Sequence, residues 1–265
     1  MEPAEIDKLL KACQSPTGKG LFFLDLKCPS GEQLLSDLPK IGQGMLSYSG
    51  QLTETKMKDY REGVERGFKR PSEDIPLRAE ASLPPPPPAL QPHQSEIASI
   101  LDAGHLLTKT LLQHLHPSAA ADLTSGTSPS DTGLKLCLQS AAVPENSVTE
   151  APHTDIGLLT FVSYDVPYLE LAEKVSSSGD KTTEGEESQK QKVMEWISVQ
   201  PQEGCVLVNV GDALQAASKG ALRAPLHRVV QPRGPKPEGT CMVIYFLRPE
   251  EKKQGEQKAS ACWLS

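Results

Sequence analysis

The chain has 265 residues, 37% hydrophobic and 23% charged, with 23 prolines. That is enough to bury one sizeable core, and the proline excess points to inserted linkers. A net charge of −7 without a basic stripe argues against a nucleic-acid partner. No apolar run approaches a membrane span, and the N-terminus lacks a signal-peptide core. The cysteines at 13, 28, 137, 205, 241 and 262 form no C-x-x-C pair. This argues against a zinc knuckle or a disulfide framework and for a reduced, cytoplasmic chain.

Ile6, Leu9, Leu10 and Cys13 make the stripe of an amphipathic helix that ends before Pro16. Residues 21–26 follow a Thr-Gly-Lys-Gly turn and read as a short buried strand, and 33–41 as a second helix. From Gly42 to about Pro92 the sequence is polar and irregular, anchored by Tyr48 and Tyr60. It closes on the run 84–88, which favours an extended polyproline connector. Without flanking basic residues, that run reads as a stiff surface spacer rather than an SH3 or WW ligand. Helical periodicity returns over 96–115, with Ser95 as its N-cap. His105 and His114 do not share a face of that helix and His116 precedes a proline, so the three do not read as a metal cluster. Residues 117–131 are loop-like.

Beyond this point short apolar segments alternate with Gly and Pro at 134–138, 156–162, 168–171, 196–199, 205–210, 226–230 and 241–247. That pattern predicts an antiparallel barrel or jelly roll. The charged tract 173–192 carries almost nothing to bury and is expected to be a mobile insertion between strands. Trp196 is expected in the core, and Tyr164 and Tyr168 at the core or pocket. The resulting division is a helical region over 1–120 with a short strand and a Pro-rich connector, a jelly-roll domain over 121–250, and a polar tail over 251–265.

His153 and Asp155 lie two apart, so on a pleated strand both face one side while Thr154 faces away. His227 follows Pro225 on another predicted strand. Two imidazoles and one carboxylate are the ligand set that holds non-haem Fe(II) on one face and leaves the opposite positions open. Taken alone the pattern is short enough to arise by chance, and a lone His is more often a core or surface residue.

Four linked blocks carry a further signal. They are Pro152-His-Thr-Asp-Ile-Gly-Leu-Leu-Thr160, Gly204-Cys-Val-Leu-Val-Asn-Val-Gly-Asp212, Leu226-His-Arg-Val-Val230 and Tyr245-Phe-Leu-Arg-Pro249. In this order they resemble the isopenicillin N synthase-like branch of the Fe(II)- and 2-oxoglutarate-dependent dioxygenases. The resemblance implies a double-stranded β-helix, mainly β with flanking helices, and iron ligands at His153, Asp155 and His227. It implies that 2-oxoglutarate chelates the iron and is decarboxylated to succinate, with dioxygen as oxidant and ascorbate as reductant. A C–H bond of a small organic molecule, of the kind met in specialised metabolism, is then expected to be hydroxylated, desaturated or closed into a ring.

The chain also departs from that family. Where relatives place an Arg and a Ser for the distal carboxylate of 2-oxoglutarate, it has Thr240 and Met242. Where they often carry Asn and Tyr before the H-x-D, it has Cys137 and Gln139. Thr240 and Gln139 are therefore the residual candidates for binding the co-substrate, and weak binding in the usual pose is expected. Arg248 lies about 26 Å along the strand from Thr240 at about 3.3 Å per residue, too far to substitute. Arg233 or Lys236 could fold back from the loop, and Arg228 points away from the barrel toward a salt bridge. Asn209 and Asp212 read as hydrogen-bonding residues shaping the barrel mouth. The expected function is an iron oxygenase. The alternatives are a catalytically impaired relative serving as a binding or scaffold protein, and an iron oxidase that uses no 2-oxoglutarate.

Overall fold

A computed structural model describes residues 2–60, 68, 73–78, 86–125, 130–138, 143–176, 192–234 and 240–250. The helical part contributes α1 (Pro3–Cys13), β1 (Leu21–Asp25), α2 (Glu32–Ser49), α3 (Thr53–Lys56), β2 (Glu73–Arg78), a 3-10 turn (Pro88–His93), α4 (Gln94–Leu115) and α5 (Pro117–Leu123). The strand-rich part follows with β3 (Gly133–Leu138), β4 (Val148–His153), β5 (Leu159–Ser163), β6 (Leu169–Ser176), β7 (Lys192–Val199), β8 (Cys205–Val210), α6 (Asp212–Ala217), β9 (His227–Val230) and β10 (Cys241–Leu247). One sheet runs β1-β8-β5-β10-β3-β2 and the other β4-β9-β6-β7, every pair antiparallel. These are the two walls of a double-stranded β-helix.

The larger sheet buries side chains on both faces, and strand alternation separates their uses. Leu134, Leu136, Phe161, Val208, Val243 and Tyr245 face outward into the core shared with α1, α2 and α4. Cys137, Val162, Leu207 and Met242 face into the barrel, where they pack with Tyr164, Tyr168, Leu169 and Val229 and close its inner end.

Several elements differ from the sequence reading. Helix α2 does not stop at Ile41: Leu34, Leu38, Ile41, Met45 and Tyr48 continue one buried stripe to Ser49. Gly42 and Gly44 are part of that buried face, and a Cβ on Gly44 would come within 2.7 Å of the His93 ring. The irregular stretch after it also yields β2, whose Pro76 is tolerated because the strand lies at the sheet edge. Helix α4 begins at Gln94, so Ser95 lies inside it and donates to Glu96 Oε2 rather than capping. The first part of the 117–131 loop is α5, capped by His116 Nδ1 accepting from the Ala119 N–H at 3.1 Å.

The tract 173–192, expected to be a mobile insertion, begins and ends in paired strands. Residues 173–176 stay in β6, and Ser176 pairs with Lys192 at the start of β7. Backbone ladder bonds need no apolar side chains, so a charged sequence did not prevent pairing. Residues 177–191, the connector run 84–85 and the tail 251–265 lie outside the described residues.

Candidate metal centre

Strands β4 and β9 pair so that His153 and His227 sit directly opposite each other, with register shifts at Val148/Glu150 and Glu150/His153. Such irregularities bend a strand and re-aim its side chains. Both rings thereby turn toward Asp155, which lies two residues beyond the end of β4 and is 9% exposed. Each imidazole Nε2 is 3.9 Å from Asp155 Oδ1, and the imidazole rings stand 4.4 Å apart. The ligand atoms of the triad all lie within 4.8 Å of one another, and it is the one such group among the described residues.

The distal nitrogens fix which atom faces the gap. His153 Nδ1 lies 2.8 Å from the Ala151 carbonyl, and His227 Nδ1 lies 3.1 Å from that of Pro225. A carbonyl only accepts, so each Nδ1 carries a proton and each Nε2 is the nitrogen turned to the gap. The carboxylate is fixed likewise, because Asn209 Nδ2 donates to Asp155 Oδ2 at 2.8 Å and leaves Oδ1 for the gap. Thr154 Oγ1 donates to Asp212 Oδ2 at 2.8 Å, and the Asp212 N–H donates to the Asp155 carbonyl at 2.7 Å. Asn209 and Asp212 thus hold the H-x-D segment itself, a tighter role than shaping the mouth. Gly211 makes this close approach possible, since a Cβ there would meet the Gly157 carbonyl at 2.1 Å. Two imidazole nitrogens and a carboxylate oxygen on one side of a gap suit divalent iron and leave its other side open.

That other side is a cavity of about 710 Å³ inside the barrel. Its wall includes the triad, Thr160, Asn209, Phe246 and Ile244, with Met242, Val162 and Leu207 toward the closed end. Among the described residues the Lys and Arg side chains lining it are Lys135 and Arg248. Lys135 Nζ is 3.4 Å from Glu150 Oε2, and Arg248 stacks over Phe246 at 5.2 Å. Burial pushes the hydroxyls of Tyr164 and Tyr168 well above the ordinary phenol range, so the inner end stays uncharged there.

Of the two residues expected to bind the co-substrate, the described one, Thr240, is not on the cavity wall. Met242 lines the cavity with an apolar side chain, Thr240 is buried outside the lining, and Gln139 and Lys236 lie outside the described residues. Arg233 donates to Asn146 Oδ1 at 2.8 Å on the exposed surface, away from the barrel. Arg228 points outward as anticipated and pairs with Glu170 at 2.6 Å. Trp196 is not in the core: it lies half-buried outside the barrel, 4.3 Å below the Arg228 guanidinium. The sequence reading passed over Lys135 altogether. Its inward aim depends on the β3 register, which its pairing with β10 and β2 fixes.

Residues 135–249 match the family model described as the 2OG-Fe(II) oxygenase superfamily. The chain is 30% identical over 175 residues to the 2-oxoglutarate-dependent dioxygenase iboH of Amanita muscaria, covering 62% of this chain and 76% of that protein. It is 25% identical to the 2-oxoglutarate-dependent dioxygenase frbH of Dothideomycetidae sp., over 93% of this chain and 77% of the relative. Among solved structures, the 2-oxoglutarate complex of the dioxygenase for auxin oxidation 1 from Arabidopsis thaliana superposes with a TM-score of 0.67 at 17% identity, over 94% of this chain and 89% of that one. This likeness establishes the fold.

Proposed function

Because the chain belongs to the 2OG-Fe(II) oxygenase superfamily, whose enzymes use Fe(II) and 2-oxoglutarate, we propose that it oxidises a small organic molecule of specialised metabolism with iron held by His153, Asp155 and His227. The observation that carries this reading is the convergence of the three ligand atoms within 4.8 Å on the wall of a barrel cavity. When bound, the iron and 2-oxoglutarate supply a dioxygen-driven oxidation of a C–H bond, by hydroxylation, desaturation or ring closure, with succinate as by-product. The chain's own residues prepare for it. The Ala151 and Pro225 carbonyls hold both imidazoles in the ligating tautomer, Asn209 orients the carboxylate, and the apolar inner wall excludes water.

A cavity of about 710 Å³ falls in the size range of small-molecule sites, about 300–1,000 Å³. Among the described residues no helix is long and apolar enough to cross a membrane. Free thiols at Cys13, Cys28, Cys137, Cys205 and Cys241 support work in the reducing cytoplasm.

The test is succinate release from 2-oxoglutarate under oxygen with Fe(II) and ascorbate, together with anaerobic Fe(II) titration. Wild type is expected to bind one Fe(II) and to form succinate, whereas His153→Ala and Asp155→Ala bind none and form none. Stoichiometric Fe(II) uptake by Asp155→Ala would remove the triad from the proposal. The apolar Met242 favours the second reading, an impaired binding protein. Succinate appearing only in Thr240→Arg/Met242→Ser would establish that one.

A further inference from the structure

2-Oxoglutarate carries a carboxylate at each end. A ligand chelated at the metal through its keto acid end directs the other carboxylate into the barrel, where a charge without a partner is costly to desolvate. Strand β10 offers that charge nothing, since its inward residue at the closed end is Met242.

Strand register separates the two cavity cations. Asn209, bonded to the carboxylate of Asp155, lies in one row across the larger sheet with Thr160, Phe246 and Gly133. This row marks the level of the metal. Lys135 pairs with Ile244 in the next inward row, about 6.6 Å deeper at about 3.3 Å per residue. Arg248 lies two residues outward of Phe246, toward the exposed mouth where Ile156 is 73% accessible. A carboxylate reaching inward from the metal therefore meets Lys135, not Arg248. A second observation points the same way. Thr160 is 1% exposed and lines the cavity, yet its hydroxyl has no hydrogen-bond partner among the described residues. A buried donor of this kind is costly until a ligand satisfies it.

We propose that Lys135, with the Thr160 hydroxyl as second donor, binds the distal carboxylate of 2-oxoglutarate in place of a guanidinium from β10. The assignment rests on the 2-oxoglutarate oxygenase reading above. The Lys135–Glu150 ion pair is readily displaced, because the Glu150 side chain is 47% exposed and can turn to water.

The experiment is calorimetric binding to the anaerobic Fe(II)-loaded protein, comparing 2-oxoglutarate with 2-oxopentanoate, which has a methyl group in place of the distal carboxylate. Wild type is expected to prefer 2-oxoglutarate by about 30-fold or more. Lys135→Met reduces the preference to about threefold or less with 2-oxopentanoate binding unchanged, Lys135→Arg restores most of it, and Thr160→Val lowers it about fivefold. Glu150→Gln, which removes the competing carboxylate of that ion pair, tightens 2-oxoglutarate alone. A preference kept by Lys135→Met, a preference lost in Arg248→Met, or no tightening in Glu150→Gln overturns the assignment and leaves the oxygenase reading standing. If neither keto acid binds the loaded wild type, both fall.

Discussion

Each ligand of the triad is set by a neighbour that never touches the gap. The carbonyls of Ala151 and Pro225 lie two residues before His153 and His227, and Asn209 reaches Asp155 from the opposite sheet. Asn209→Ala is expected to leave the fold intact and weaken metal affinity by about 10–100-fold. An Fe(II) or Co(II) titration reads this directly, and an unchanged affinity would reduce Asn209 to a packing residue. The triad was legible in the sequence as a candidate because H-x-D and the later His are carried by distinctive blocks. The orientation of each was not, because a backbone carbonyl leaves no side-chain signature and the Asn209–Asp155 bond spans 54 residues. Lys135 stayed hidden for a related reason: a lysine between leucines on a strand reads as a solvated face until its register is known.

At the scale of elements, β10 is the strand on which both cores depend. Its outward Tyr245 packs under α4, where Gly104 lies so close that a Cβ would meet Phe161 at 2.7 Å and the Tyr245 ring at 2.9 Å. Gly104→Ala thus overfills the helix–sheet interface despite its better helix propensity, at a cost of about 1–3 kcal/mol. Thermal unfolding of the variant measures it; an increase in Tm would show that the rings yield. Periodicity made α1, α4 and the barrel strands legible, since burial on one face writes itself into the residue pattern. It missed β2, the exposed β4, the end of β6 and the start of β7, whose pairing rests on backbone bonds that any sequence can supply. Cys13, at the end of α1, is fully buried and its thiol is pushed up to about 12. It should resist alkylation in the native protein while the exposed Cys28 reacts, as peptide mapping of the modified chain will show.

Across the whole molecule the two sheets have unequal support. The larger is backed by helices, whereas in the smaller β9 is four residues long and joins β4 through an interrupted register. An ion bound between His153 and His227 joins these two strands at the point where their ladder is thinnest. Metal at about 100 times its dissociation constant contributes about 2.7 kcal/mol, so a chelator is expected to lower Tm by about 5–10 °C. A Tm indifferent to chelation would mean that the strands hold without the ion. The facing of His153 and His227 across one ladder then has a bearing on the protein's persistence in the cell. Chain starved of iron is then expected to open more often at β4 and β9 and to be cut sooner by proteases, so that iron supply would govern how long each molecule lasts as well as how many are loaded.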